Sequence, residues 1–375
     1  MQAKLKFFLI MIVKEISDLL ETYAPLSLQE SYDNSGLQIG NPETQVKCAL
    51  ICLDITTNII DEAIQKGCDM IISHHPLLFN GIKKITGRTY IEKIVHKAIK
   101  NDIVIYSAHT HFDNIKNGVN NMLAEKIGLI NLSILKPVSG VLRKLVTFCP
   151  LAYAEKVRIA IFSAGAGNIG NYDSCSSNTL TEGTFRANEG ANPFVGSLGE
   201  LHHEKEIRIE TVYPNYLEKD VLQALLNAHP YEEVAYDIYS LQNSFNEVGA
   251  GMLGELNKSI PADSFMKILQ KTLHTPVLRF SGPIEKEVKK IAICGGSGAF
   301  LIKEAIAKNA DVFITSDIKY HSFGDHTEEL ILIDAGHFET EQYTKLLLCD
   351  ILKKKFPTFA TQISEQDNNL VKYFI

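Results

Sequence analysis

The sequence contains no CxxC pair. Its seven cysteines, Cys48, Cys52, Cys68, Cys149, Cys175, Cys294 and Cys349, are odd in number, and several lie in apolar runs. Buried reduced thiols are therefore expected, rather than disulfides or a thiolate metal site. No apolar stretch approaches the roughly 18 residues needed to span a membrane, which argues against a membrane protein. Positive charge is not in excess, because the formal net charge is −7. That balance argues against non-specific nucleic-acid binding. No short-period repeat and no low-complexity tract is visible. What remains is a 375-residue chain with 45% hydrophobic and 22% charged residues. That suits two or three globular domains, with a core large enough to need no disulfide staple. An intracellular, cytoplasmic protein is the expectation.

At the N-terminus, Lys4 and Lys6 precede the apolar run Phe7 to Val13. The run is short for a signal peptide and no small-residue cleavage site follows, so it reads as an extension ahead of a natural start near Met11. Beyond it, short apolar runs alternate with helical patterns. Strands are expected at Cys48–Leu53, Met70–Ser73 and Ile103–Ser107, with helices at Thr57–Lys66 and Tyr90–Lys100. The texture returns late, with strands at Ile291–Cys294, Val312–Thr315 and Leu330–Ile333 and helices at Ala299–Lys308 and Glu339–Lys353. This alternation predicts an α/β fold with mixed sheets covered by helices.

The middle of the chain reads differently. It gives strand, helix, a turn-rich stretch from Gly165 to Gly199, then strand (Glu206–Val212), helix (Leu217–Ala228) and strand (Val234–Ser240). That order suits a ferredoxin-like α+β insert. The predicted division is a core first half at 1–144, an insert at 145–241 and a core second half at 242–375.

Residues that carry chemistry cluster at strand ends. His74 and His75 close an apolar strand, and Pro76 restricts His75 to extended conformations. Two adjacent imidazoles on opposite sides of a strand can address two metals. His109, His111 and Asp113 follow the next strand, and Asp113 is a hard oxygen ligand. His109 and His111 are open to roles as ligand, hydrogen-bond partner or proton carrier. His337 and Glu341 open a helix after a third strand. At i and i+4 they share one face, and a carboxylate so placed can bridge two cations. The bland alternative is an exposed pair worth about 0.2–0.5 kcal/mol, but it leaves a third ligand-bearing strand end without explanation. Hard oxygens mixed with imidazoles suit zinc, iron or manganese, and such sets commonly hold two ions roughly 3.5–4 Å apart. Asp317 and His321, also i and i+4 after a strand, are candidates with His109 for handling protons. The turn Gly295–Gly298 can offer N–H groups to an anion, though a plain strand–helix turn is the favoured reading. His202 and His203 read as solvated and His229-Pro230-Tyr231 as a packing corner; His96 and His274 carry no assigned role.

Together these segments resemble the Nif-three-like dinuclear metal-centre family, also called GTP cyclohydrolase I type 2 homologues. The resemblance runs nearly from Met11 to Ile375. It rests on Tyr32-Asp33-Asn34-Ser35-Gly36-Leu37-Gln38-Ile39-Gly40, Ser73-His74-His75-Pro76, His109 to Asp113, Gly295 to Gly298, Thr315 to His321 and Gly336 to Glu341. The insert is similar to the PII-like module of the longer bacterial members, through Gly165 to Tyr172 and His229 to Asp237. The chain departs from the family pattern at Tyr32, where Trp is common, at Ser316, where Gly is usual, and at His111, where Asn is frequent.

The resemblance implies metal ligands at His74, His75, Asp113, His337 and Glu341, and a toroidal homohexamer with the metals facing an internal cavity. It also implies hydrolytic opening of the guanine imidazole ring of GTP with loss of formate. The expected function is accordingly a dinuclear metal-dependent hydrolase of a nucleotide or similar small anionic molecule. The competing reading is a non-enzymatic protein that binds metal and ligand or partner, with the insert as its sensing module.

Overall fold

The computed structural model describes residues 10–324, 328–366 and 369–374. The segment read as an extension ahead of Met11 lies almost wholly outside the described residues. The chain divides into two compact units, one formed by residues 1–137 and 246–375 and the other by Val138–Phe245.

The larger unit contains two mixed sheets. In the first, four parallel strands, Ala360–Ile363, Cys48–Cys52, Met70–Ser73 and Val104–Ser107, lie in that order, with Gly36–Ile39 added antiparallel at the edge. Every residue of the strands Cys48–Cys52, Met70–Ser73 and Val104–Ser107 is buried. Strands covered on both faces need such unbroken apolar runs, which is why they stand out in the sequence. The helix Thr57–Lys66 starts where the Thr56 hydroxyl accepts the Ile59 N–H and stops at Gly67, whose φ of 67° suits glycine. It buries Ile59, Ile60 and Ala63 against the sheet with Leu50 and Ile71, each large side chain contributing about 1.5–3 kcal/mol.

In the second sheet the order is Arg279–Ser281, Ile331–Asp334, Val312–Thr315, Glu287–Ile293, Ser244–Pro261 and Ile130–Ser139. Its three central strands are parallel. The registers place Cys52, Ser73 and Ser107 side by side at the C-terminal edge of the first sheet, and Thr315 beside Asp334 at that of the second. All the ligand-type residues therefore emerge from strand C-termini, where open α/β sheets bind ligands.

The expected long helix Glu339–Lys353 is two helices, His337–Glu341 and Thr344–Lys355. Thiol chemistry also differs from expectation. Cys48 and Cys68 form a disulfide, because the start of one strand and the residue after the Gly67 turn come within 4.5 Å between Cα atoms. Cys52, Cys149, Cys294 and Cys349 are buried free thiols, and Cys175 is a half-buried one. Among the described residues, no helix is long and apolar enough to cross a membrane.

The smaller unit holds a four-stranded antiparallel sheet ordered Tyr236–Ser240, Leu142–Pro150, Leu201–Pro214 and Ser177–Arg186, with helices Ala154–Ser163 and Glu218–Ala228. Strand, helix, strand, strand, helix, strand in this spatial order is the ferredoxin-like arrangement. The strand Ser177–Arg186 lies inside the stretch read as turn-rich. Its partner sets it: ten residues pair with Leu201–Glu210, and the β-branched Thr179, Thr181 and Thr184 suit a half-exposed edge.

Candidate metal centre

Six side chains from three strand ends, His74, His75, His109, Asp113, His337 and Glu341, meet within the larger unit. His74 and His75 follow Ser73, whose hydroxyl donates to the His75 carbonyl at 2.8 Å and shares a hydrogen bond with Ser107 at 2.9 Å. These buried hydroxyls brace the two strand ends that present His74, His75 and His109. His75, His337 and Glu341 bring ligand atoms within 4.8 Å of one another, and so do His74, His75 and His109. His75 belongs to both trios. Asp113 joins through its carboxylate, 3.7 Å from His74 Nε2.

Each imidazole is held from behind through Nδ1. That atom of His75 donates to Asp54 at 2.9 Å, of His337 to Asp317 at 2.6 Å, of His109 to Asp33 at 2.8 Å, and of His74 to the Ala108 carbonyl at 2.7 Å. Such partners fix the ring tautomer and leave Nε2 to coordinate. A carbonyl oxygen only accepts, so the neutral His74 ring carries its proton on Nδ1 and a lone pair on Nε2. That Nε2 is fully buried, makes no hydrogen bond, and sits 3.7 Å from both Asp113 Oδ1 and Glu341 Oε1. This separation is too long for a hydrogen bond. It matches ligands sharing one ion, because two atoms about 2.1 Å from a tetrahedral cation lie roughly 3.4 Å apart. Glu341 points its other oxygen at His75 Nε2 (2.9 Å) and His337 Nε2 (3.0 Å). The donor set and the unpartnered lone pair both fit divalent cations.

Electrostatics follow the same geometry. Burial opposes charge on His75, but hydrogen bonds to Asp54 and Glu341 outweigh it and raise the ring to about 10. His337 is raised to about 9, with burial overcome by Glu341 and Asp317. Burial pushes the Asp113 carboxyl up while His74 and His109 draw it down, and it stays above its ordinary value. Burial also works against the Glu341 carboxylate, yet His337, His74 and His75 hold it well below the usual range. The carboxylates of the site favour positive charge beside them, which the imidazoles carry as protons and divalent cations would also supply.

Of the residues read as proton carriers, His109 belongs to a trio and Asp317 supports His337. His321 is exposed on the short helix Tyr320–Gly324 and stacks edge-on against Tyr320. His111 lies outside both trios. Among the described residues, its ring nitrogens have no hydrogen-bond partner, and burial lowers it to about 3, leaving a neutral ring edge-on to Phe112. The glycine turn does not present its amides to an anion. The Gly295, Gly296 and Gly298 N–H groups donate to Asn120, Thr340 and Thr315.

Asp54 was absent from the sequence reading, although it follows the apolar strand Cys48–Cys52 just as His74 follows Met70–Ser73. The strand-end rule had the signal for it. Asp54→Ala is expected to weaken ion binding about 10–100-fold while leaving the fold intact. Metal content measured across a chelator series checks this, and unchanged affinity would show that His75 needs no support.

Beside the cluster a cavity of about 380 Å³ is lined by Asp54, His75, His337, Asp317, Arg279 and residues of the Asn369–Tyr373 segment. The buried Glu339 carboxylate accepts from Asn369 and Tyr373, each at 2.8 Å, and so ties that segment to the helix carrying His337 and Glu341.

Residues 11–369 match the model of the Duf34/NIF3 (NGG1p interacting factor 3) family. A Bacillus subtilis protein called GTP cyclohydrolase 1 type 2 homolog is 37% identical over 362 residues, covering 95% of this chain and 97% of that protein. A Halalkalibacterium halodurans protein of the same name is 39% identical over 324 residues, covering 86% of this chain and 87% of its own length. The crystal structure of a Bacillus cereus protein related to NIF3 superposes with a TM-score of 0.86 at 38% identity, covering 97% of this chain and 99% of that one.

Proposed function

This chain belongs to the Duf34/NIF3 family, and on that premise we propose that it is a hydrolase dependent on two divalent metal ions and acting on a nucleotide or similar small anionic molecule. The observation that carries the proposal is His74 Nε2, a buried nitrogen set between two carboxylates with no hydrogen bond. His74, His75, Asp113, His337 and Glu341 would hold the ions, which are zinc, iron or manganese by donor chemistry. When bound, they supply Lewis acidity and positive charge.

The chain's own residues supply the rest. Four acidic side chains, Asp54, Asp317, Asp334 and Glu339, line the adjacent cavity together with Arg279, His75 and His337. Arg279 is 59% exposed in its side chain while paired with Asp334, and it can meet a phosphate at the rim. His109, held by Asp33, is placed to move a proton.

The name shared by the relatives supplies the reaction to test. Water adds at C8 of the guanine ring of GTP, the imidazole ring opens as its nitrogen takes a proton, and a second water releases C8 as formate. The proposed assembly is a cytoplasmic homohexamer, for which light scattering should give the mass of six chains. The decisive experiment is metal analysis of protein purified without added metal, followed by formate release from a nucleotide panel. About two ions per chain and chelator-sensitive turnover are expected. No formate from any nucleotide by fully loaded protein would reject the nucleotide reading.

A further inference from the structure

The smaller unit contains a cavity of about 600 Å³ lined wholly by its own residues, within the range that takes metabolite-sized ligands. Its floor is the sheet face opposite the two helices. Ile207 and Ile209 on the strand Leu201–Pro214 pack into the core with the helices, so Glu206, next to Ile207, points to the other face. Glu206 is nonetheless only 7% exposed. Its carboxylate accepts from the Tyr231 hydroxyl at 2.9 Å. On the neighbouring strand Gly183 makes room for it, since a Cβ there would collide with the carboxylate. His229 holds this corner, with Nε2 donating to the Phe148 carbonyl at 2.9 Å and Nδ1 accepting from the Tyr231 N–H at 3.1 Å.

Aromatic rings form the walls. Phe185 and Phe194 have centroids 6.3 and 6.2 Å from that of Tyr231, tilted by 57° and 48°, and Phe148 also lines the space. The ionic lining is lopsided, with Glu182, Glu189, Glu206, Glu232 and Glu233 against Arg186 alone. A phosphate or carboxylate ligand would meet net repulsion. A neutral apolar ligand would bury Glu206 further without compensating its charge, which is costly. Tilted rings with a carboxylate at the base suit one chemistry, an ammonium group attached to an apolar body.

We propose that the cavity walled by Phe148, Phe185, Phe194 and Tyr231 over Glu206 is a binding site for a small organic cation, separate from the metal centre. The probe is benzyltrimethylammonium, titrated calorimetrically into the full chain with uncharged benzyl alcohol and anionic benzoate as comparisons. Saturable binding of the cation is expected, with both comparison compounds at least about tenfold weaker. Glu206→Gln and Phe185→Leu should each lower cation affinity about tenfold, with unchanged secondary structure and metal content. Benzoate binding as well as the cation would overturn the proposal, as would wild-type affinity in both folded variants. Absence of binding by every probe would overturn it too. If Phe194→Ala then changes the mass in light scattering, the cavity is the seat of a second copy of the chain.

Discussion

Glu341→Gln is expected to lose the proposed ions. Glu341 is 4% exposed and offers one oxygen toward His74 and the other to His75 and His337, an arrangement in which a single carboxylate reaches both trios. Glutamine keeps the shape but coordinates through one oxygen and removes a negative charge that offsets the cations. Ion affinity is expected to fall at least ~100-fold, and any hydrolysis with it. The fold should persist, because the apolar strand clusters beneath the site are untouched. Metal content and circular dichroism on the same sample decide the matter. A folded variant with wild-type occupancy would rule out the bridging role of Glu341.

Gly296→Ala is expected to damage the same site from the opposite side. Gly296 has φ of +62°, and a Cβ there would collide with the Glu341 carboxylate and lie 3.3 Å from His337 Nε2. The backbone has little freedom to retreat, because its N–H donates to Thr340 at 3.0 Å and its carbonyl accepts from the Thr315 hydroxyl at 2.9 Å. The left-handed conformation alone costs about 1–2 kcal/mol, and displacing Glu341 separates it from three imidazoles. Ion affinity should fall by about tenfold or more, with a lower melting temperature. Gly295→Ala is the control, since its Cβ would meet Glu341 Cγ at an ordinary 3.5 Å. Equal metal content in the two variants would show that the turn is not shaped around the carboxylate.

The contrast between these two glycines shows where sequence reading reaches its limit. Gly295 and Gly296 look alike in the run Gly295–Gly298, which reads as a plain strand–helix turn, with amides for an anion as the weaker alternative. Folding gives those amides to Asn120, Thr340 and Thr315 instead, and reserves the empty space at Gly296 for a side chain 45 positions away. The disulfide is similar. Cys48 opens one strand and Cys68 lies just before the next, and only the parallel pairing of Cys48–Cys52 with Met70–Ser73 brings them together. The strand Ser177–Arg186 was hidden because its pairing with Leu201–Glu210, rather than any apolar pattern of its own, makes it a strand.

Local chemistry in the chain determined a good deal by itself. Unbroken apolar runs marked the central strands, Thr56 and Gly67 bounded a helix, and imidazoles and carboxylates at strand ends marked the ligand-type residues. These features act over a few residues, so they are written in order along the chain. The tertiary structure decided which of them meet. It brought His75 between two trios, set Asp54, Asp317 and Asp33 behind the rings, left His74 Nε2 facing two carboxylates, and left His321 exposed. It also enclosed Glu206 among aromatic rings contributed by distant segments. Those outcomes depend on strand register and sheet order, which arise from packing between segments far apart in sequence, and no short stretch of residues encodes them alone.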